Sequence, residues 1–199
     1  LSILNKINIA KHVNSVYTYG LVQGVPGVGI GIVILLLRPL PPDASFYAIN
    51  LGLGSGLIES VGLLLMFFAL RTSEVSRVVP VTQSYPIFVA VLAAIFLGEA
   101  LGALEWLAIL VTVAGAILIS ADRTPGGGRV FLSRSFAMLV LSAFLLAISR
   151  TMGKEALGTI TYWNMVAFSE IGISFGFTLL GLQRTAIKEG ISILRKPRT

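Results

Sequence analysis

The chain contains no cysteine and a single histidine. Disulfide frameworks, thiolate zinc sites, iron-sulfur clusters and cysteine nucleophiles are therefore excluded, and no multi-histidine metal cluster can form. Charge is scarce as well. Charged residues make up 12% of the 199 residues, where a soluble domain carries about a quarter. Against that shortage stands an excess of apolar residues, 55% of the chain, gathered into uninterrupted runs. About 20 apolar residues cross a bilayer core about 30 Å thick, so the composition describes an all-α, polytopic helical membrane protein embedded in a lipid bilayer. The net charge of +6 belongs to that setting: the basic residues lie between apolar runs, where membrane orientation and anionic head groups account for them and nucleic acid does not.

Apolar runs bounded by charge or by Pro/Gly clusters predict spans at 16–37, 46–70, 75–97, 101–121, 136–153 and 160–181, with residues 1–13 reading as the tail of a further one. That makes about seven helices. The longest connection, 122–135, holds Pro125 and three consecutive glycines, Gly126 to Gly128, which cannot continue a helix. It divides the chain into a first unit, 1–121, and the start of a second, 136–199. A shift of 144 residues lays Ile3–Lys6 on Ala147–Arg150, Tyr19 on Trp163 and Leu35-Leu36 on Leu179-Leu180. Only four of 37 aligned positions are identical, but the order of features repeats: a basic helix end, a polar turn, an aromatic residue, then a Gly-containing apolar run. Five spans per unit and ten in all is the implied parent. The chain begins at Leu1 and ends on the basic stretch Arg195-Lys196-Pro197-Arg198, and reads as a fragment of it.

Small residues recur four apart at Gly20 and Gly24, Gly27 and Gly31, Gly52 and Gly56, Ala90 and Ala94, and Gly172 and Gly176. In lipid no hydrophobic force draws helices together, so such faces supply contact by letting backbones approach. The glycines of 24–31 are packing residues and not a nucleotide loop, since no strand precedes them and no phosphate-binding Lys follows.

The stretch Val78–Leu101, with Pro86 followed by an apolar run and then Leu97-Gly98-Glu99, resembles the fourth helix of EamA-type members of the drug/metabolite transporter superfamily. Trp106–Ile119, with Ala114-Gly115, resembles that family's fifth helix, and Ala69-Leu70-Arg71-Thr72-Ser73 the end of its third. The resemblance is carried by residues 46–121; elsewhere it rests on the order of spans. It implies a ten-helix carrier of two inverted five-helix repeats, multi-pass in the plasma membrane. Such a carrier moves small organic metabolites, such as amino acids or organic cations, through a central cavity, as an exporter or exchanger with possible proton coupling. It implies no cofactor and no enzymatic reaction.

An ionisable residue near mid-bilayer costs about 2.5 to 3.5 kcal/mol on insertion scales, so it faces the bundle interior or a water-filled cavity. Glu59 near the middle of 46–70 and Glu170 in the middle of 160–181 stand out. A carboxyl group there can hold a substrate amine or a coupling proton, and equally can fix packing through hydrogen bonds. If 46–70 and 75–97 form an antiparallel hairpin turning near Ser73, the helical rise puts Glu59 about 18 Å from the turn, Gln83 and Tyr85 about 14 to 17 Å, and Arg77 about 5 Å. Pro80 and Pro86 flank Gln83 and Tyr85, and each removes a backbone donor and invites a bend. Irregular helix at mid-depth is tolerated where it lines a cavity. The expected substrate site is therefore Glu59, Gln83 and Tyr85, with Gln23, Trp163 and Glu170 as further contributors and Arg77 as an entrance residue or snorkelling anchor.

Basic residues divide unevenly. Twelve fall on one side (Lys6, Lys11, Arg71, Arg77, Arg123, Arg129, Arg134 and five after residue 183) and three, Arg38, Arg150 and Lys154, on the other. The positive-inside rule places the larger set in the cytoplasm, whereas the family resemblance places it outside. Three other readings compete with a metabolite carrier: a lipid-carrier flippase, a non-transporting partner or relic, and an intramembrane protease built on Gly54-Ser55-Gly56 and His12. The last needs Ser55 and His12 in hydrogen-bond reach, and they sit at different depths.

Overall fold

The computed structural model describes residues 16–72, 75–98, 102–120 and 134–181, all of it helix and short turns. Seven helices follow in order: α1 Val16–Leu37, α2 Phe46–Thr72, α3 Val75–Thr82, α4 Tyr85–Phe96, α5 Ala103–Ser120, α6 Arg134–Ala156 and α7 Tyr162–Gly181. Five segments are long and apolar enough to cross a membrane, one of them being Val78–Phe96, which joins most of α3 to α4. The 1–13 tail, His12 and nearly all of the 122–135 linker lie outside the described residues, although α6 already begins at Arg134.

The predicted 75–97 span is two helices. Pro80 lies inside α3 and Pro86 in the first turn of α4. Between them, Gln83 and Ser84 form a turn in which Ser84 directs both its backbone N–H (3.3 Å) and its hydroxyl (2.6 Å) to the Val81 carbonyl. Proline cannot donate to the preceding turn, and a serine hydroxyl supplies the backbone with a local alternative, so the ladder stops here. Gly98, with φ 66°, ends α4 in the left-handed region open to glycine.

Glycine decides how the long helices meet. On α1, a Cβ added at Gly20 would lie 3.0 Å from the Phe177 ring and one at Gly31 2.8 Å from the Ala167 carbonyl, so α1 and α7 run antiparallel. On α2, Gly52 faces Phe168 and Gly56 faces Gly172, while Gly176 faces Ser60, so α2 and α7 run parallel. A Cβ at Gly56 would collide with the Ser169 carbonyl, and one at Gly172 with that of Leu53. Backbone against backbone is the contact that small-residue faces permit in lipid. The third long interface is α2 with α6, antiparallel, where the buried Ser142 hydroxyl donates to the Gly62 carbonyl at 2.7 Å. The resulting order is α6, α2, α7, α1, with α4 running alongside α6 and α5 against α3 and α4.

Two closures bracket the middle of this array. At one end Tyr19 meets Phe67 edge-on at 5.1 Å and Phe67 stacks on Phe177 at 6.3 Å, inside a buried cluster with Val16, Leu64, Leu70 and Leu139. At the other, the α1–α2 connection is tied to the α6–α7 turn: Asn164 Nδ2 donates to the Arg38 carbonyl at 2.7 Å, and Ser45 N–H to Thr159 Oγ1 at 3.4 Å. Thr161 accepts the Asn164 N–H at 3.3 Å and so caps α7.

Candidate functional site

Glu59 stands at the midpoint of the 27-residue α2, about 20 Å from either end. It is only 7% exposed. A carboxylate so placed needs partners, because a buried unpaired charge is strongly unfavourable. Both come from α6. Arg150 Nη2 donates to Glu59 Oε1 at 2.6 Å, and Ser149 Oγ donates to Oε2 at 3.1 Å. Adjacent residues on α6 reach one carboxylate because Arg150 has the length to extend toward it while the short Ser149 donates to the other oxygen.

Arg150 itself is open. Its side chain keeps 47% of its exposure, and among the described residues its guanidinium makes the single hydrogen bond to Glu59. Glu170, eight residues into α7, joins the group from the other flank of α2 and feels the charges of both Glu59 and Arg150. Its carboxylate rests against α1, where a Cβ at Gly27 would come within 3.0 Å of Oε2. Among the described residues nothing donates a hydrogen bond to it. Ser174, one turn further, donates to the Gly24 carbonyl at 2.6 Å and to the Glu170 carbonyl at 2.8 Å, holding α1 and α7 together beside it. The centre thus carries two carboxylates and one guanidinium, with Ser149 as a neutral donor.

The remaining sequence-predicted residues lie elsewhere. Gln83 is exposed in the α3–α4 turn, and Tyr85 starts α4. Phe88 of α4 meets Phe144 of α6 at 5.7 Å, and since the two helices run in the same direction, Tyr85 is about 13 Å along the axis from Arg150. Gln23 is exposed on α1, and Trp163, 52% exposed, contacts Tyr162 at 5.9 Å at the start of α7. Arg77 belongs to α3, but its side chain lies outside what is described. Pro80 and Pro86 border the helix break. Glu59 and Glu170 therefore stand within electrostatic reach of each other without a shared hydrogen-bond partner, and Gln83, Tyr85, Gln23 and Trp163 are not joined to either by any side-chain hydrogen bond among the described residues.

What sequence reasoning missed is Arg150, together with Ser149. A span that ends at 153 leaves Arg150 among the charges of a helix end. The observed helix continues to Ala156, which puts Arg150 about 9 Å inside it. The signal available was the small, uncharged run Thr151-Met152-Gly153 after the arginine, which keeps the helix going. Beside that run lies a cavity of about 440 Å³, lined by Tyr47, Leu51, Phe96, Phe144, Thr151 and Glu155 among others. Ser55, the serine of the protease alternative, is fully buried and donates to the Gly52 carbonyl at 2.7 Å. Among the described residues no group of three acidic or histidine side chains is placed to hold a metal.

Comparison with known proteins matches residues 3–121 to the EamA-like transporter family. An uncharacterised transporter from the cobO 3' region of a Sinorhizobium species is 35% identical over 66 residues, which cover 33% of this chain and 47% of that protein. The match therefore spans about half the length of the relative. No solved structure matches the chain.

Proposed function

Because the chain belongs to the EamA-like transporter family, and is thus part of a multi-pass membrane transporter of the drug/metabolite type, we propose that it moves small organic metabolites through a cavity centred on Glu59. The observation that carries this reading is the buried Glu59 carboxylate at the midpoint of a membrane-length helix, held by Arg150 and Ser149 with Glu170 close by. Charged groups at that depth are expensive, and in membrane proteins they mark substrate or proton pathways. Glu59 and Glu170 offer acceptors for a ligand ammonium or a proton, and Arg150 offers donors for a ligand anion. Tyr85, Gln83, Gln23 and Trp163 contribute, on this reading, to the path leading to the centre, and Arg77 to its entrance. The break between Pro80 and Pro86 supplies a point at which that path can change shape.

The same proposal takes residues 1–121 and 136–199 as parts of two inverted repeats. Supporting it, α1 and α7, which the 144-residue shift makes equivalent, pack antiparallel through Gly20, Gly24, Gly27 and Gly31. Residence in the plasma membrane, operation as an exporter or exchanger, and coupling to protons belong to the proposal as well.

The test is flux by the complete protein in proteoliposomes, with and without an imposed proton gradient. Glu59→Gln removes the acceptor charge with little change in shape and is expected to abolish flux or to uncouple it from the gradient. Unchanged flux and unchanged gradient dependence in that variant would overturn the site. Absence of flux for any metabolite, with lipid-carrier movement in its place, would favour a flippase.

A further inference from the structure

Gly20, Gly24, Gly27 and Gly31 line one face of α1, and α7 meets them in reverse order with Phe177, Ser174, Glu170 and Ala167. Three of these glycines meet what a packing face meets. A Cβ added at Gly20 or Gly24 would touch the Phe177 side chain, and one at Gly31 would touch Ile171 and the Ala167 carbonyl. Gly27 differs. The nearest atoms to a Cβ there are all oxygens: Ser174 Oγ at 2.5 Å, Glu170 Oε2 at 3.0 Å and the Glu170 carbonyl at 3.1 Å. Glycine thus stands opposite the one charged residue of α7, and the half-buried carboxylate uses the room that any other residue at 27 would fill.

We infer that Gly27 is a positioning residue of the transport centre: by carrying no side chain it lets the Glu170 carboxylate lie against the α1 backbone, and so fixes where along the α1–α7 seam that charge is presented. This rests on the reading of Glu170 as part of the substrate or proton path. It gives α1, which brings no charged side chain, a part in the centre. The atoms displaced decide what a substitution does. Ser174 Oγ and Glu170 Oε2 are ends of side chains that turn about single bonds, whereas the Ala167 carbonyl opposite Gly31 is backbone and cannot turn. Gly27→Ala therefore redirects two oxygens while the helices stay in contact, and Gly31→Ala pushes the helices apart. Turning Ser174 releases its 2.6 Å bond to the Gly24 carbonyl, a modest loss for an interhelical hydrogen bond. Turning Glu170 moves a charge off the α1 backbone toward the open side of the seam.

Labelling of the detergent-solubilised complete protein with dicyclohexylcarbodiimide tests this. The reagent adds to a carboxyl group and leaves an N-acylurea with no atom lost, and peptide mass spectrometry separates the adduct at Glu170 from that at Glu59. In Gly27→Ala the initial rate at Glu170 is expected to rise roughly threefold or more, which about 0.7 kcal/mol of altered surroundings produces. Gly29→Ala, where a Cβ meets nothing within 4 Å, and Gly24→Ala, where it meets carbon atoms of Phe177 and Ser174, should leave that rate as it is. Gly27→Ala combined with Ser174→Ala takes the hydroxyl out of the collision and should keep the raised rate, so the test survives poor folding of the single variant. A Glu170 rate unchanged in both Gly27 variants, or raised as much in Gly24→Ala, would overturn the inference. Uptake of a radiolabelled amino-acid mixture into proteoliposomes under a proton gradient separates it from the reading beneath it. Gly27→Ala should lower uptake and Glu170→Gln abolish it. Undiminished uptake by Glu170→Gln, beside a raised labelling rate in Gly27→Ala, keeps the Gly27–Glu170 arrangement and refutes the carboxylate's part in transport.

Discussion

Glu59 and Arg150 form one ion pair whose two ends live in different surroundings. Glu59 is 7% exposed, whereas the Arg150 side chain retains 47%. Removing one partner of a buried pair hurts mainly through the charge left behind. Arg150→Gln strands the buried carboxylate and is expected to cost about 3 kcal/mol. Glu59→Gln leaves an arginine whose side chain is only half covered by protein, and should cost less, roughly 1 kcal/mol. Thermal unfolding of the complete protein in detergent checks the asymmetry, and equal losses would contradict it. The Ser142 hydroxyl on the Gly62 carbonyl is a smaller matter. Interhelical hydrogen bonds in membranes average about 0.6 kcal/mol, so Ser142→Ala should lower stability by about that amount.

At the scale of helices, closeness of approach controls the packing. Gly56 and Gly172 bring α2 and α7 together with no room for a methyl group between them. Gly56→Ala drives a Cβ into the Ser169 carbonyl, a backbone atom that cannot rotate away, and is expected to destabilise the protein by about 1 to 3 kcal/mol. Gly29→Ala, where a Cβ meets nothing within 4 Å, should leave stability unchanged or raise it by up to about 1 kcal/mol. The pair distinguishes packing from helix propensity, since both replace a helical glycine. The α3–α4 break is the other feature of this scale. Pro80→Ala returns a donor to the helix interior and should stabilise the segment, while flux falls if the break is used during transport. Proteoliposome flux alongside the unfolding midpoint measures both effects.

For the molecule as a whole, the α1–α2 connection and the α6–α7 turn share one end of the bundle, joined by the Ser45–Thr159 and Asn164–Arg38 hydrogen bonds. Arg71 and the start of α6 lie at the opposite end. The chain has no cysteine of its own, so single replacements report sidedness without background. Asp43→Cys and Gly158→Cys are expected to react with a membrane-impermeant maleimide from the same side of the membrane, and Arg71→Cys from the other. This grouping agrees with the division of charges read along the chain for Arg38, Lys154 and Arg71. It moves Arg150 from that tally to the interior. The side on which Asp43→Cys reacts also decides between the positive-inside rule and the orientation that the family resemblance implies.

Hydropathy alone placed five membrane-length segments within a few residues, because twenty apolar residues in a row have few uses outside a bilayer. It likewise exposed Glu59 and Glu170, since a carboxylate inside such a run is conspicuous. Proline positions marked where the 75–97 span would weaken, but the exact stop at Gln83–Ser84 came from a hydroxyl choosing the Val81 carbonyl. The partner of Glu59 was not legible. It lies about 90 residues away in the chain, and the order of helices that brings α6 onto α2 depends on which glycine faces meet. Composition therefore determined that this chain is a membrane bundle with two interior acids. Only the packing of α6 on α2 decided that one of those acids, Glu59, is paired with Arg150, because contact between distant helices is set by interfaces that no single segment encodes.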